Sequence, residues 1–155
     1  MPIKMTTPRD AVKESINRFI QAARQELIAR LAHIGEQVVS EARSYNGKAY
    51  QDQTGNLRSS TGYVIVEDGR VIDISDFSQI PPKSDPKGEA GKGSDEGQAY
   101  ARRLAAGYPQ GVTLIVVAGM RYAAYVSARG YNVLDSAEAL AKRLVPEMLK
   151  KLTSE

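Results

Sequence analysis

The stretch that decides the fold is "TGYVIVEDGRVIDIS", Thr61–Ser75. Asp68-Gly69 separates two runs rich in β-branched residues, and a two-residue type I′ turn, which needs positive φ at both central positions, suits that pair. The turn sets Glu67 opposite Arg70, Ile65 opposite Ile72 and Tyr63 opposite Ile74. Tyr63, Ile65, Ile72 and Ile74 then share one face, while Val64, Val66 and Val71 share the other. Both faces are apolar, so the pattern predicts a hairpin within a sheet covered on both sides.

Upstream, the sequence from Thr7 to Tyr45 predicts one long amphipathic helix with Thr7 as N-cap, Pro8 in the first helical position and Asp10 in the first turn. Ile16, Phe19, Ile20, Ala23, Leu27, Leu31, Ile34, Val38, Ala42 and Tyr45 recur at three- and four-residue steps and form one stripe. Arg18, Arg24, Glu26, Arg30 and Glu36 occupy the polar side. A helix of this span is about 55 Å long, more than a domain of this size needs to cover its core, so part of the stripe is expected to face another chain. Gly35 marks a candidate bend.

Downstream, Asp76–Gly97 is rich in Pro, Gly, Ser and charge, and is expected to be a flexible loop. A short helix is expected over "QAYARRLAAG", ended by Gly107 and Pro109. "GVTLIVVAG", Gly111–Gly119, is apolar on both faces and predicts a central strand. "DSAEALAKRLVPEMLKKL" predicts a closing helix capped by Asp135 or Ser136, with Pro146 as a kink or break. The expected fold is α+β: a small, mostly antiparallel sheet packed by the long N-terminal helix and the C-terminal helix, in one domain spanning 1–155 with a flexible loop at about 76–97.

Composition narrows the function classes. Twenty-five per cent charged and 42% hydrophobic residues are ordinary for a globular chain, and 21 basic against 18 acidic residues make a mixed surface, not the concentrated field of a dedicated DNA binder. The absence of cysteine rules out disulfides and thiolate metal sites and is compatible with a reducing cytoplasm. The start "MPIKMTTPRD" has no apolar core of signal-peptide length, and no apolar run reaches the roughly 20 residues of a membrane span. A protein made and used in the cytoplasm is expected.

Chemistry-bearing patterns are sparse. "GEAGKGSDEG" lacks the spacing, the preceding strand and the Lys-Ser/Thr pair of a phosphate-binding loop. His33 is the only histidine and has no second ligand nearby in sequence to share a metal. Asp73 and Asp76 stand as solvated acids at a strand end. No catalytic residue, metal or cofactor is expected. Arg102 and Arg103 beside Tyr100 and Tyr108, with the loop lysines Lys83, Lys87 and Lys92, leave open an alternative, a small basic nucleic-acid-binding module.

Two motifs, "QTGNLRSSTGYVIV" and "RYAAYVSARGYNVLDSAEALAKRL", resemble the tail-completion family of tailed bacteriophages and prophages, over nearly the full length of the chain. Thr54, Gly55, Leu57, Arg58 and Ser60 take that family's first motif, and Tyr122, Ala123, Tyr125, Val126 and Gly130 its second. Where family members often carry an acidic residue and a Gly-Thr pair after the second motif, this chain has Ser127, Ala128 and Arg129 before Gly130 and Tyr131. The resemblance implies a non-enzymatic virion protein, assembled in the host bacterial cytoplasm. It would form a ring, a hexamer by the same resemblance, at the head-proximal end of a tail tube. Its implied partners are further copies of itself, the tail tube protein and a head–tail connector or stopper, with no membrane and no specific nucleic acid. Within that frame Val64, Val66, Val71, Arg58, Arg129 and Tyr131 are the expected interface residues, and Lys83, Lys87 and Lys92 the expected loop contacts. Thr54 is expected to cap a short helix, and Tyr122 and Tyr125 to wall the core.

Overall fold

The computed structural model describes residues 8–44, 52, 54–82 and 89–154. In chain order these form α1 (Arg9–Arg43), α2 (Asn56–Ser59), β1 (Thr61–Glu67), β2 (Arg70–Ile74), α3 (Gly93–Ala105), β3 (Val112–Ala118), α4 (Ala123–Ala128) and α5 (Asp135–Ser154). The strands make one antiparallel sheet in the order β2-β1-β3. The fold is α+β, a small sheet packed by a long first helix and a closing helix.

The hairpin turn follows its local chemistry. Asp68 and Gly69 both have positive φ, 50° and 83°, and Glu67 pairs with Arg70 and Val66 with Val71. Beyond that the expected register fails, because a β-bulge shifts the pairing so that Ile65 opposes Asp73 and Val64 opposes Ile74. Ile72 is left over and 41% exposed. Ile74 moves to the valine face, and Asp73 takes its place beside Tyr63. The Tyr63 hydroxyl donates to Asp73 Oδ2 at 3.3 Å, and the Ser75 Oγ accepts the Tyr63 N–H at 2.8 Å.

β1 is the central strand. The prediction that Gly111–Gly119 would supply it is corrected: β3 pairs with β1 from Thr61–Ala118 to Glu67–Val112 and lies at the edge of the sheet. One face of the sheet packs on the C-terminal half of α1 and on α5, where Leu31, Ile34, Val38 and Ala42 meet Tyr63, Ile65, Ala137 and Met148. Gly35 lies within the unbroken α1 and seats the Tyr63 ring, whose nearest carbons would lie 2.8 Å from an added Cβ. On the other face α3 covers Val64, Val66, Ile115 and Val117, with Phe77 wedged between. A Cβ at Gly62 or Gly97 would come within 2.6 Å of the Phe77 ring, so both positions keep the strand and α3 close enough to enclose it.

Two boundaries differ from the sequence pattern. The stretch read as loop down to Gly97 already contains the first turn of α3, where Asp95 and Glu96 favour the positive end of the helix, and Phe77 is core. α5 runs through Pro146, and its start is held by Asn132, which accepts the Ser136 N–H at 3.1 Å. Thr7 and Tyr45 lie outside the described residues.

Val64 and Val66 are 0% exposed, so the valine face is interior to this chain and not a surface for another. Val66→Asp would place a carboxylate with no partner in that layer. We expect at least about 3 kcal/mol of lost stability, read from denaturant unfolding. Burial first, then the charges of Asp73 and Glu36, push the Tyr63 phenol well above its usual range. The folded state therefore keeps a proton that the unfolded chain releases near pH 10, and stability falls as pH rises beyond about 10. Tyr63→Phe should flatten that alkaline fall, measured as melting temperature against pH.

Candidate assembly surface

The segment from Thr54 to Ser60 is a buried joint. Its sequence supplies short polar side chains where α2 must turn the chain from α1 into β1, and each one closes a backbone gap. Asp52 accepts the N–H groups of Arg58 at 2.8 Å and Leu57 at 3.4 Å, the orphan donors at the start of α2. It takes the role expected of Thr54, whose hydroxyl instead accepts the Asn56 N–H at 3.3 Å. Asn56 reaches the start of α3, donating to the Glu89 carbonyl at 2.6 Å and accepting from Lys92 and Gly93 N–H. Ser59 holds the Ile80 N–H, and Ser60 the Met120 N–H. Arg58 was expected to face outward. It is buried, its Nε donating to the Arg43 carbonyl at 3.1 Å, while Arg43 Nη2 donates to the Thr61 carbonyl at 2.6 Å.

The second motif meets the first in space. Ala123 packs with Leu57 and Val133, and Gly119 N–H donates to the Ser60 carbonyl at 3.0 Å. The Tyr122 phenol is pushed up by burial and by the Asp52 charge, while a hydrogen bond with Thr54 acts the other way. The expected roles of the tyrosines are reversed. Tyr122 and Tyr125 are 40% and 62% exposed, whereas Tyr131 is half-buried against the cluster of Leu57, Ala123 and Val133. The reason lies in the small residues: Ala123, not a tyrosine, is the α4 side chain that turns inward. Arg129 is exposed, donates from Nη1 to the Tyr125 hydroxyl at 2.7 Å and lies over that ring. Val71 is partly buried under α3. Lys92 is exposed and ion-paired with Glu89, and Lys83 and Lys87 lie outside the described residues.

The exposed apolar surface lies elsewhere, on the first half of α1. Val12, Ile16, Phe19 and Ile20 follow helical spacing, and all are exposed, Phe19 at 76%. Arg24 pairs with Glu67 at 2.9 Å and reaches Asp68 at 3.7 Å, marking where the helix leaves the sheet. The 15 residues Arg9–Ala23 extend about 22 Å beyond it. This stripe was legible as the surplus length of the helix.

No arrangement for catalysis comes together among the described residues. His33 lies exposed on a groove of about 400 Å³ between α1 and α5, with Arg30 and Glu147 on its walls, and Arg30 is tied to Glu26 at 2.6 Å. Among the described residues no group of three or more acidic or histidine side chains is placed to hold a metal ion, and no helix is long and apolar enough to cross a membrane. The chain matches no known family model, no curated protein and no solved structure.

The joint at α2 gives a direct test. Asp52→Ala removes the acceptor for two helix N–H groups and should lower stability by about 1–2 kcal/mol, seen as a shift of the urea midpoint with unchanged slope.

Proposed function

We propose that this chain is a structural subunit of a tailed-phage or prophage particle, one that assembles as a ring at the head-proximal end of the tail tube and joins it to the head connector. Its work is geometric: identical head-to-tail contacts close the ring, and the ring presents one face to the tube protein and the other to the connector or stopper. It performs no catalysis. The likeness of the Thr54–Ser60 and Tyr122–Gly130 motifs, in their order along the chain, favours this reading. The observation that carries it is the uncovered stripe of Val12, Ile16, Phe19 and Ile20, since a monomer seldom leaves a contiguous apolar surface of this kind in water.

Phe19→Asp and Ile16→Asp test it. Neither side chain is core, so folding stability should stay within about 0.5 kcal/mol of the parent. In a phage whose own copy is deleted, the parent chain should restore joined particles, and either variant should leave full heads and free tails side by side in electron micrographs. His33→Ala should join normally. Normal joining by Phe19→Asp, or joined particles from the deletion itself, would overturn the assignment.

A further inference from the structure

β3 has the composition of a central strand and the position of an edge. Val112–Ala118 contains no charge, no proline and no glycine. Its side chains are covered on both faces, Leu114 and Val116 by α1 and α5, Ile115 and Val117 by α3. Among the described residues only one of its two long edges has a neighbour.

The register shows which backbone groups are left over. Asp68 N–H donates to the Gly111 carbonyl and Gly119 N–H to the Ser60 carbonyl, both at 3.0 Å. These mark hydrogen-bonded pairs at the two ends of the β1–β3 ladder. Alternation along an antiparallel ladder then turns Thr113, Ile115 and Val117 toward β1, and turns the N–H and C=O of Val112, Leu114, Val116 and Ala118 outward. Among the described residues no hydrogen bond reaches those outward groups. Beside the second half of this edge lies a cleft of about 290 Å³ between α3 and α4, lined by Tyr100, Leu104, Ala123, Ala124 and Val133, among others, and by no charged side chain.

The other edge of the sheet is built differently. β2 carries the bulge at Ile72 and the charges of Arg70 and Asp73, and the outward N–H of Ile74 is taken by Asp73 Oδ1 at 3.0 Å. Bulges and charge are the devices that keep an edge from recruiting another strand. β3 has none of them.

We propose that the outer edge of β3 pairs with the same strand of a second copy of this chain, antiparallel and centred on Ile115. In that register Val112 opposes Ala118 of the second copy and Leu114 opposes Val116, giving about eight inter-chain hydrogen bonds. No like charges meet, because the strand has none. The product is a continuous sheet of the two copies whose remaining edges are the two defended β2 strands, which is why the pairing stops at two. The dimer belongs to the free chain and uses a surface distinct from the α1 stripe, so it stands or falls apart from the ring reading.

Sedimentation of the purified protein should give twice the 16.9 kDa chain mass. Val116→Pro removes an outward N–H and no bond to β1, as edge positions allow. It should keep the circular-dichroism spectrum of the parent and sediment at the single-chain mass. The chain has no cysteine, so a single introduced one reports the register. Ile115→Cys should oxidise to a covalent dimer, since it faces its own copy in a close, non-hydrogen-bonded pair, and Thr113→Cys should not, since it faces Val117. If Val116→Pro does not fold, the cysteine pair decides alone. A single-chain mass for the parent at high concentration, an intact dimer in folded Val116→Pro, or cross-linking at 113 and not at 115 would overturn the proposal.

Discussion

Among the described residues β1 is the only strand with a neighbour along each edge and a helix layer over each face, and the rest of the structure answers to that confinement. Every residue from Thr61 to Val66 is buried, so both sets of alternating side chains need apolar cover, and two different parts of the chain supply it. α1 and α5 come from opposite ends of the sequence to cover Tyr63 and Ile65, and α3 arrives with Phe77 to cover Val64 and Val66. A strand so enclosed also needs its entry fixed, because water cannot satisfy stray backbone groups there. That explains the density of short polar side chains just before it: Asp52, Asn56, Ser59 and Ser60 tie α2 to α3, to the segment after β2 and to the turn after β3.

The features legible in the sequence are those whose cause is local. Apolar spacing of three and four marks α1 and α5, Asp68-Gly69 dictates the hairpin, and the run of β-branched residues marks β1. What was not legible depends on partners far along the chain. The bulge at Ile72 follows from Asp73 seeking the Tyr63 hydroxyl and from Ser75 holding the Tyr63 backbone, and neither pairing has a periodicity. Gly93 and Gly97 look like loop residues until Asn56 and Phe77 are seen pressed against them. Arg58 carries a charge that spacing places outside, yet a carbonyl at the end of α1 draws it in. Tyr122 and Tyr125 were expected to wall the core, while the α4 side chain buried in the joint is Ala123.

The surface proposed for assembly was partly visible for the same reason. Surplus helix length is a local property, so the stripe ending at Phe19 and Ile20 could be expected to lie beyond the core. The open edge of β3 could not. A charge-free strand reads as central whichever place it takes in a sheet, and only the order β2-β1-β3 reveals that, among the described residues, β3 has a neighbour along one edge alone.

The free end of α1 also has a mechanical consequence. An isolated helix of about 15 residues is marginal in water, because nucleation costs more than a few turns return. Arg9–Ala23 escapes that cost by growing from a half already fixed against the sheet, where Leu31, Ile34 and Val38 pack and Arg24 is pinned to the hairpin tip by Glu67. Propagation from a fixed turn needs no new nucleus, so the projecting half is helical without covering of its own. A partner docking on its apolar stripe would therefore meet a surface already ordered, and association would lose less conformational entropy than if the segment folded only on contact.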